Sequence, residues 1–594
     1  MKSGFKFLWL FPPIFIFIFI WHFGVDMPLR DQFDTPGKAI IEFSKGTLSF
    51  NDLIAQHNES RKFFPRLTFI ALSQLTGWNT RYEMFLSWII SCGIYWNVLQ
   101  LAKHTLGKGR PIFKALGILV IGLFIFSPAQ YQNWLWGIQP ITFVPAWALT
   151  SCIAVFYSQM SLGLIFLTCS VVCTIATFSY ANGILTWVLV IPIIVISGKW
   201  RLFPWSRRRI LFLFGWLGMA LLSALLYFHD YAKPGHHPSF LYAITHPIKS
   251  AIYFLSFLGL PLSGGLGVIG SAMIGAVSIL LFIFFCVRVF STSKDRFLYK
   301  ALGWLTLAAY TLLSALITTS GRVGFGVEQS LAGRYVTFVI PLYVAICGLF
   351  CVWISYAGKP FQFKELTLSE KPQKKGFLSS KSISFVVCLF VFLSMYWHSS
   401  AHALDMAYIT KLNASYGKTC LMFLAELPDK DCIEKYVYPN IDTVRQRIPI
   451  FKAAAKLSLP ILESKFLQDL KYYGDKTKVL DGSISQFKPG SDTQYVANGR
   501  VSRSSNGFMT DSILLAYEDD ISGKDTVFKI VGPLRPTEHL MIKVDNVNER
   551  NYLAWQVAIP KSLLPESACI VSAWAFDTDT VSTKKIESEL NICN

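Results

Sequence analysis

The chain has 594 residues, of which 53% are hydrophobic and 15% are charged, and its formal net charge is +19. A soluble protein has about 25% charged residues, so the composition excludes an ordinary soluble protein, a disordered chain, collagen and a disulfide-rich miniprotein. It predicts an integral membrane protein, and the positive charge is then no sign of nucleic-acid binding.

The charges divide the chain into two regions. Residues 1–400 hold 32 of the 55 Lys and Arg but only 12 of the 36 Asp and Glu, whereas residues 401–594 are nearly neutral. We therefore predict a transmembrane body over 1–400, a helical periplasmic connector over 401–475 and a β-sandwich or jelly-roll domain over 476–594. The last of these follows from short alternating apolar runs with turn residues between them.

The membrane body is predicted to contain about 11 spans, because a crossing helix needs about 20 mostly apolar residues. Short loops rich in Lys and Arg stay in the cytoplasm, which places the N-terminus inside and the C-terminal tail outside. A short apolar stretch at 250–264 is predicted not to cross. The spans are expected near residues 7–24, 82–101, 111–126, 141–157, 161–178, 184–198, 210–228, 266–288, 301–319, 336–356 and 382–399.

The first outer loop, residues 25–81, is long and polar, and its first part carries Asp31 and Asp34. On a helical turn these two side chains share a face. A carboxylate at a membrane surface serves as general base for a sugar hydroxyl or holds a divalent cation such as Mg²⁺ or Mn²⁺. The alternative for each is a turn or N-cap residue.

The same loop continues with His57, Asn58, Glu59 and Arg61, and Arg66 follows. Glu59 is a second candidate base or ligand, and His57 is predicted to assist because imidazole titrates near neutrality. The two arginines are predicted to clamp a phosphate in bidentate fashion. The alternative is an interfacial helix whose charges meet lipid headgroups.

A second outer loop combines amides with aromatic rings. Amides pair with sugar hydroxyls and indoles stack on sugar C–H faces, so this loop is predicted to bind a saccharide acceptor. An aromatic belt at the membrane interface is the alternative for the two indoles. The residues concerned are Gln130, Tyr131, Asn133, Trp134 and Trp136.

Two further outer loops carry polar candidates. Arg322 and Arg334 flank a Gly-rich loop, where they suit either a lipid phosphate or simple snorkelling. His229, Asp230, His236 and His237 suit either a metal ion or a flexible loop, and we favour the loop.

The tail has four cysteines, Cys420, Cys432, Cys569 and Cys593, which allow three pairings. Closeness in sequence favours Cys420–Cys432 and Cys569–Cys593, and disulfides agree with a tail outside the cytoplasm. Free thiols in a cytoplasmic tail are the alternative. The sequence shows no Cys/His spacing typical of a metal site.

Two other features of the tail remain open at this point. Trp555 and Trp574 are either sugar-stacking platforms or core residues, and we favour the core. The acidic clusters Glu518-Asp519-Asp520 and Asp577/Asp579 are either calcium ligands or solvated turns, and we favour turns.

The architecture of residues 1–400 resembles the GT-C membrane glycosyltransferases of bacteria, and more distantly the O-antigen-modifying glucosyltransferases. Three segments carry the resemblance: Arg30-Asp31-Gln32-Phe33-Asp34, then His57-Asn58-Glu59-Ser60-Arg61 with Phe64-Pro65-Arg66, and Tyr131-Gln132-Asn133-Trp134-Leu135-Trp136-Gly137. The resemblance does not extend to the β-rich tail.

The resemblance implies a sugar donor on undecaprenyl phosphate and a glycan or lipid-linked saccharide acceptor, outside the cytoplasmic (inner) membrane of a bacterium. Asp31 or Glu59 would deprotonate the acceptor, with inversion at the anomeric carbon. Arg61, Arg66, Arg322 or Arg334 would stabilise the departing lipid phosphate. The alternative function is a transporter of glycans or lipid-linked oligosaccharides, or a polymerase-like protein, although few isolated charges lie within the spans.

Overall fold

The computed structural model describes residues 9–106, 111–196, 207–235, 237–291, 295–356, 380–454, 457–467, 470, 479–491, 493–505, 508–518, 524–533, 552–565 and 568–592. The chain forms two compact units. The first consists of Met1–His22, Leu48–Phe69 and Glu83–Met406, and the second of Phe23–Thr47, Ile70–Tyr82 and Ala407–Asn594. These units differ from the predicted boundaries at 400 and 475, because the first outer loop contributes to both.

The described helices, in chain order, are α1 (Phe11–Phe23), α2 (Asp31–Asp34), α3 (Gly37–Ser44), α4 (Phe50–Ile54), α5 (Phe63–Thr76), α6 (Thr80–Thr105), α7 (Pro111–Ile125), α8 (Tyr131–Trp134), α9 (Pro140–Phe156), α10 (Leu162–Thr177), α11 (Leu185–Ile196), α12 (Arg207–Phe228), α13 (Leu241–Thr245), α14 (Pro247–Ser263), α15 (Gly267–Ser291), α16 (Asp295–Arg322), α17 (Val336–Tyr356), α18 (Ser380–Met422), α19 (Lys430–Tyr436), α20 (Ile441–Ala453) and α21 (Ser464–Leu467).

The described strands are β1 (Gln56–His57), β2 (Ser60–Arg61), β3 (Gly482–Ser491), β4 (Gln494–Ser502), β5 (Ser504–Ser505), β6 (Phe508–Met509), β7 (Ser512–Glu518), β8 (Asp525–Val531), β9 (Tyr552–Pro560), β10 (Ile570–Asp577) and β11 (Ser582–Asn591).

Six described helical segments are long and apolar enough to cross a membrane, so the chain is a multi-pass membrane protein. They are Thr80–Thr105, Lys114–Trp134, Arg207–Phe228, Gly267–Arg288, Leu298–Phe325 and Gly333–Trp353. Shorter apolar helices cover Phe11–Phe23, Pro140–Phe156, Leu162–Thr177, Ala181–Ile196 and Pro247–Ser263. The predicted fold class, a polytopic helical body followed by a strand-rich C-terminal region, is confirmed.

The helices of the first unit differ in how far they are buried. In the most apolar 18-residue stretch of Gly333–Trp353, 78% of the residues are buried, whereas in that of Arg207–Phe228 22% are buried. Thus α17 lies in the middle of its bundle and α12 at the edge. Small residues allow close packing between neighbours. Gly259 of α14 has no room for a Cβ against the Ser271 carbonyl of α15, and Gly275 has none against the Leu255 carbonyl. Residues 250–263 of the stretch that is predicted not to cross the membrane thus lie in a regular helix, α14, packed closely on α15. The path of this helix relative to the bilayer stays a prediction.

Most of the described C-terminal strands form two antiparallel sheets, ordered β3-β4-β9 and β11-β10-β7-β8, and β5 pairs with β6 separately. One apolar core joins their facing sides, which makes this region the β-sandwich that the alternating pattern predicts. The core includes Ile484, Val501, Leu553, Trp555 and Ile559 from the first sheet, and Ile513, Leu515, Phe528, Val571 and Ala573 from the second.

The second sheet is covered on its other side as well. Phe576 of β10 contacts Phe423 and Phe466 of the helical region, with ring centroids 5.4 and 5.9 Å away. Burial on both faces explains why β7 and β10 have nearly continuous apolar runs. Trp555 is 1% exposed and Trp574 4% exposed, so both indoles belong to the interior and offer no stacking surface for a sugar.

One predicted disulfide, Cys420–Cys432, is present in the second unit and is confirmed. Cys569 is also disulfide-bonded, while Cys593 lies outside the described residues, so the second pairing stays a prediction. Asp577 and Asp579 lie in the turn between β10 and β11, where Asp577 Oδ1 accepts from the Asp579 and Thr580 main-chain N–H groups. Of the other acidic cluster, Asp519 and Asp520 lie outside the described residues.

Candidate functional site

Glu59 stands at the tip of a two-residue hairpin turn in the first unit. The strands pair Gln56 with Arg61 and His57 with Ser60, which leaves Asn58 and Glu59 as the connection. Asn58 has φ +52°, a left-handed conformation that asparagine tolerates better than most residues. The local sequence therefore favours a tight turn that presents the Glu59 side chain.

Arg61 fixes this hairpin to a neighbouring segment. Its Nε donates to the Tyr227 carbonyl at 2.7 Å and its Nη1 to the Ile54 carbonyl at 3.0 Å, while Nη2 donates to the His229 carbonyl. The side chain is buried. Three donors of this side chain are thus bound to main-chain carbonyl oxygens.

Arg66 has a similar role one turn into α5. Its Nη1 donates to the carbonyls of Leu53 and Ala55, each at 2.7 Å, and the residue is buried. The structure therefore shows Arg61 and Arg66 as supports of the hairpin. The phosphate clamp predicted for them stays a prediction, and it would require these bonds to be given up.

The Glu59 carboxylate lies between a guanidinium and an imidazole. Arg322 Nη2 donates to Oε1 at 2.6 Å, and His237 Nε2 lies 4.0 Å from Oε2. Burial raises the pKa of Glu59, but Arg322, hydrogen bonds and His237 outweigh it and bring the pKa below its ordinary value. Glu59 is therefore a carboxylate at neutral pH, and its side chain is 32% exposed.

Tyrosines and a second arginine surround this pair. Burial raises the pKa of Tyr180, and so do Glu59 and Tyr335, whereas Arg334 and Arg322 oppose the rise. Tyr180 therefore lies near Glu59, Tyr335, Arg334 and Arg322. The Tyr227 hydroxyl also donates to the Glu59 carbonyl. Arg322 beside Glu59 and Arg334 near Tyr180 bring two guanidinium groups into this region, which suits an anionic ligand.

His57 does not titrate near neutrality, contrary to the prediction. Its burial, together with Lys62 and Arg66, lowers the pKa of His57 to about 3. The imidazole is therefore neutral at physiological pH in this conformation, and a catalytic role of His57 beside Glu59 stays a prediction.

The amides of the second outer loop bind the loop before α17. Asn133 Nδ2 donates to the Arg334 carbonyl at 3.1 Å and to Thr337 Oγ1 at 2.6 Å. Thr337 in turn donates to Gln130 Oε1 at 2.7 Å. Gln130 and Asn133 are fully buried, so here they join two loops and position Arg334, and acceptor binding by them stays a prediction.

The aromatic residues of the same loop differ in exposure. Trp134 is fully buried and stacks on Phe143 at 4.9 Å. Tyr131 and Trp136 are half-buried, and Trp136 packs with Tyr180 around a small apolar cluster. Of the predicted acceptor-binding residues, these two lie nearest the surface.

The other candidate acids lie in the second unit. Asp34 accepts from Arg447 Nη1 at 3.2 Å, and the Tyr438 hydroxyl contacts both of its oxygens at 3.1 Å. Burial, Asp34 and Asp31 raise the pKa of Tyr438, so Asp31 lies near the same hydroxyl. Asp34 is thus part of a polar cluster that joins the first loop to the tail, and Asp31 is half-buried at the start of α2.

The described residues contain no group of three or more His, Cys, Asp and Glu placed to hold a metal ion. His229 contacts Asp230, and both are exposed, while His236 lies outside the described residues. The divalent cation suggested by the sequence therefore stays a prediction.

Comparisons with known proteins give one similar structure. No family model matches the chain, and no curated protein matches it in sequence. Among solved structures, the chain is similar to the crystal structure of ArnT from Cupriavidus metallidurans bound to undecaprenyl phosphate, with a TM-score of 0.38 and 11% identity over 77% of each chain.

Proposed function

We propose that this protein is a GT-C-type membrane glycosyltransferase, which transfers a sugar from a polyprenyl-phosphate carrier to a glycan or a lipid-linked saccharide. The reaction takes place on the periplasmic side of the bacterial inner membrane. The observation that carries the proposal is the Glu59–Arg322 pair, a carboxylate and a guanidinium held together where membrane-spanning helices end.

Arg322 and Arg334 are the proposed phosphate ligands. Guanidinium groups match phosphate oxygens in a bidentate geometry. Arg322 pairs with Glu59, and both arginines lie near Tyr180. When the glycosidic C–O bond breaks, the negative charge moves onto the lipid phosphate. Positive groups already in place stabilise that charge without reorganisation.

A first-loop carboxylate is the proposed base. The acceptor hydroxyl attacks the anomeric carbon, its proton goes to the carboxylate, and the lipid phosphate leaves from the opposite face with inversion. Glu59 is ionised at neutral pH and stands beside the proposed phosphate ligand. Asp31 is the second candidate, and the Arg447 and Tyr438 contacts favour a structural role for Asp34.

The test is in vitro transfer from a synthetic polyprenyl-phosphate sugar, with purified protein in detergent. Glu59→Gln and Asp31→Asn each keep size and hydrogen bonding while removing the charge. The base is the residue whose substitution lowers turnover by about 100-fold or more, the range of general-base catalysis. Full activity in both variants would exclude both as the base.

Asp230→Asn is the matched control. Asp230 is an exposed carboxylate with φ +50°, a conformation that asparagine also adopts readily. This variant is expected to retain wild-type turnover. If neither the wild type nor any variant transfers sugar from any donor in a panel, the enzymatic proposal itself is overturned.

A further inference from the structure

The two oxygens of Glu59 have different neighbours. Oε1 accepts from Arg322 at 2.6 Å, and Oε2 faces His237 Nε2 at 4.0 Å. The His237 side chain is only 9% exposed, and its ring meets the Phe325 ring edge-on at 6.2 Å. His237 is therefore held within a short movement of a hydrogen bond with Glu59.

The surrounding structure restricts this histidine to that position. A Cβ on Gly324 would lie only 2.4 Å from the Pro238 Cβ, so there is no room for one. The loop after α16 therefore packs directly on the segment that carries His237. Lys233 Nζ donates to the Pro238 carbonyl at 2.8 Å. The imidazole thus stands on a supported segment and not on a free loop end.

A phosphate bound at Arg322 would change the local charge. Without it, the guanidinium balances the Glu59 carboxylate. With it, two anions share that guanidinium in a partly buried place, where repulsion between like charges is costly. A nearby imidazole is the one common side chain that responds by taking up a proton near neutral pH.

We propose that His237 is a positioning residue that takes a proton from solvent when an anionic phosphate binds Arg322, and that the resulting imidazolium then holds the Glu59 carboxylate in place of Arg322. This inference rests on the proposed function, because it needs a phosphate at Arg322. One proton is taken from water on binding and returned when the phosphate leaves, and no covalent bond of the protein changes.

The other groups around His237 set the direction of this effect. Glu59 favours a proton on the imidazole, whereas the cationic groups oppose it. An added phosphate anion shifts this balance towards the protonated form. Glu59 on the hairpin lies 4.0 Å from His237, Arg322 at the end of α16 pairs with Glu59, and Lys233 after α12 contacts the neighbouring Pro238. Tyr180 before α11 and Tyr231 after α12 interact electrostatically with Glu59, and Tyr180 also with Arg334 and Tyr335 before α17.

The experiment measures binding of a phosphate whose own charge is constant. The methyl ester of a short polyprenyl phosphate is a phosphodiester, so it has one negative charge throughout pH 5.5–8.5. Calorimetry in two buffers with different ionisation enthalpies counts the protons taken up by the full-length protein. Uptake of one proton weakens binding by about tenfold for each pH unit above the histidine pKa.

His237→Gln keeps a donor that reaches Glu59 and does not titrate. We expect this variant to bind the phosphodiester with no proton uptake and with an affinity that is constant over this pH range. His229→Gln is the matched control, because His229 is an exposed histidine on the same segment; it is expected to keep the wild-type pH dependence. Thermal unfolding of each variant establishes that it is folded.

The outcomes separate the two proposals. Binding by the wild type without proton uptake, or an unchanged pH dependence in His237→Gln, overturns the role of His237 and leaves the phosphate site intact. Failure of the folded wild type to bind the phosphodiester at any pH overturns the proposed phosphate site, and the role of His237 with it.

Discussion

The first outer loop has two parts that are built for different purposes. Residues 48–69 belong to the first unit (the membrane unit). There the Arg61 and Arg66 side chains hold the Glu59 hairpin by hydrogen bonds to main-chain carbonyls. Residues 23–47 and 70–82 belong to the second unit, where their acids pair with residues of the tail. The same polar composition thus supports a candidate chemical site in one part and domain cohesion in the other.

The two parts of the loop differ most clearly in the partners of their carboxylates. Glu59 is paired within the membrane unit with Arg322. Asp26, by contrast, is buried and accepts from the Thr80 main-chain N–H at 2.8 Å and from the Ser458 hydroxyl. A carboxylate enclosed by main-chain and hydroxyl donors is a structural element. We therefore expect substitutions in residues 48–69 to affect turnover, and those of Asp26 and Asp34 in the second unit to affect stability.

The largest expected effect comes from Arg322→Gln. It removes the guanidinium that pairs with Glu59 at 2.6 Å and that is proposed to receive the departing phosphate. Loss of one such electrostatic contact lowers turnover by about 100- to 1000-fold. Initial rates of transfer from a polyprenyl-phosphate sugar measure it. Lys249→Gln, in an exposed position of α14, is the control, and equal losses in both variants would contradict a specific role for Arg322.

The next effect concerns the disulfide of the second unit. Replacing Cys420 and Cys432 together by alanine opens a link across 12 residues, which we expect to destabilise this unit by about 2–4 kcal/mol. Hydrogen exchange of peptides covering α18 to α20 is expected to accelerate, while peptides of α16 and α17 keep their protection. If exchange accelerates equally in both units, they unfold together, and the distinction between the first and the second unit does not hold.

Arg61→Met is expected to reduce both stability and activity. Methionine retains the apolar bulk but leaves the carbonyls of Tyr227, Ile54 and His229 without this donor. Buried unpaired groups cost about 1–3 kcal/mol, and the Glu59 turn loosens. Thermal unfolding and turnover measure the two effects. A variant with normal stability but abolished lipid-phosphate binding would instead support the clamp predicted from the sequence.

More of the fold than of the candidate site could be predicted from the sequence. Hydropathy and the Lys/Arg distribution predict the membrane helices, because both follow from local composition, and alternation predicts the sandwich for the same reason. The pairing of Glu59 with Arg322 joins residues 263 positions apart, and no local pattern contains that information. The sequence offered both residues as candidates, but it linked neither of them to His237.

Burial explains the remaining differences. An arginine near a membrane surface suggests phosphate binding, yet Arg61 is buried and satisfies carbonyls. Histidine suggests titration near neutrality, yet burial and two cations lower the pKa of His57 to about 3. Likewise, amides suggest sugar binding, whereas Gln130 and Asn133 connect loops. In each case the residue type was identified, but its environment depends on tertiary packing.

The smallest expected effect tests the second unit by pH. Asp579 accepts from Lys418 at 2.8 Å and from Arg81 at 2.9 Å, so it joins the first loop to the tail. Burial opposes ionisation, but these cations lower the pKa of Asp579 to about 2, from 3.8. Because the folded-state pKa is depressed, the stabilisation is fully present above pH 3.8 and is lost as the pH falls through about 2.

Asp579→Asn should therefore lower the stability of the second unit at pH 7 by at most about 1 kcal/mol, because the side chain is 56% exposed and water screens the pairs. The difference between the unfolding temperatures of variant and wild type should stay constant down to about pH 4 and disappear near pH 2. Asp442→Asn, at a carboxylate that is 73% exposed and 4.0 Å from Arg445, is the control and should show no such difference. A difference for Asp579→Asn that grows below pH 4 would show that these pairs do not hold the first loop to the tail. Another contact would then have to hold residues 23–47 and 70–82 to the tail, and the buried Asp26 would be the first candidate.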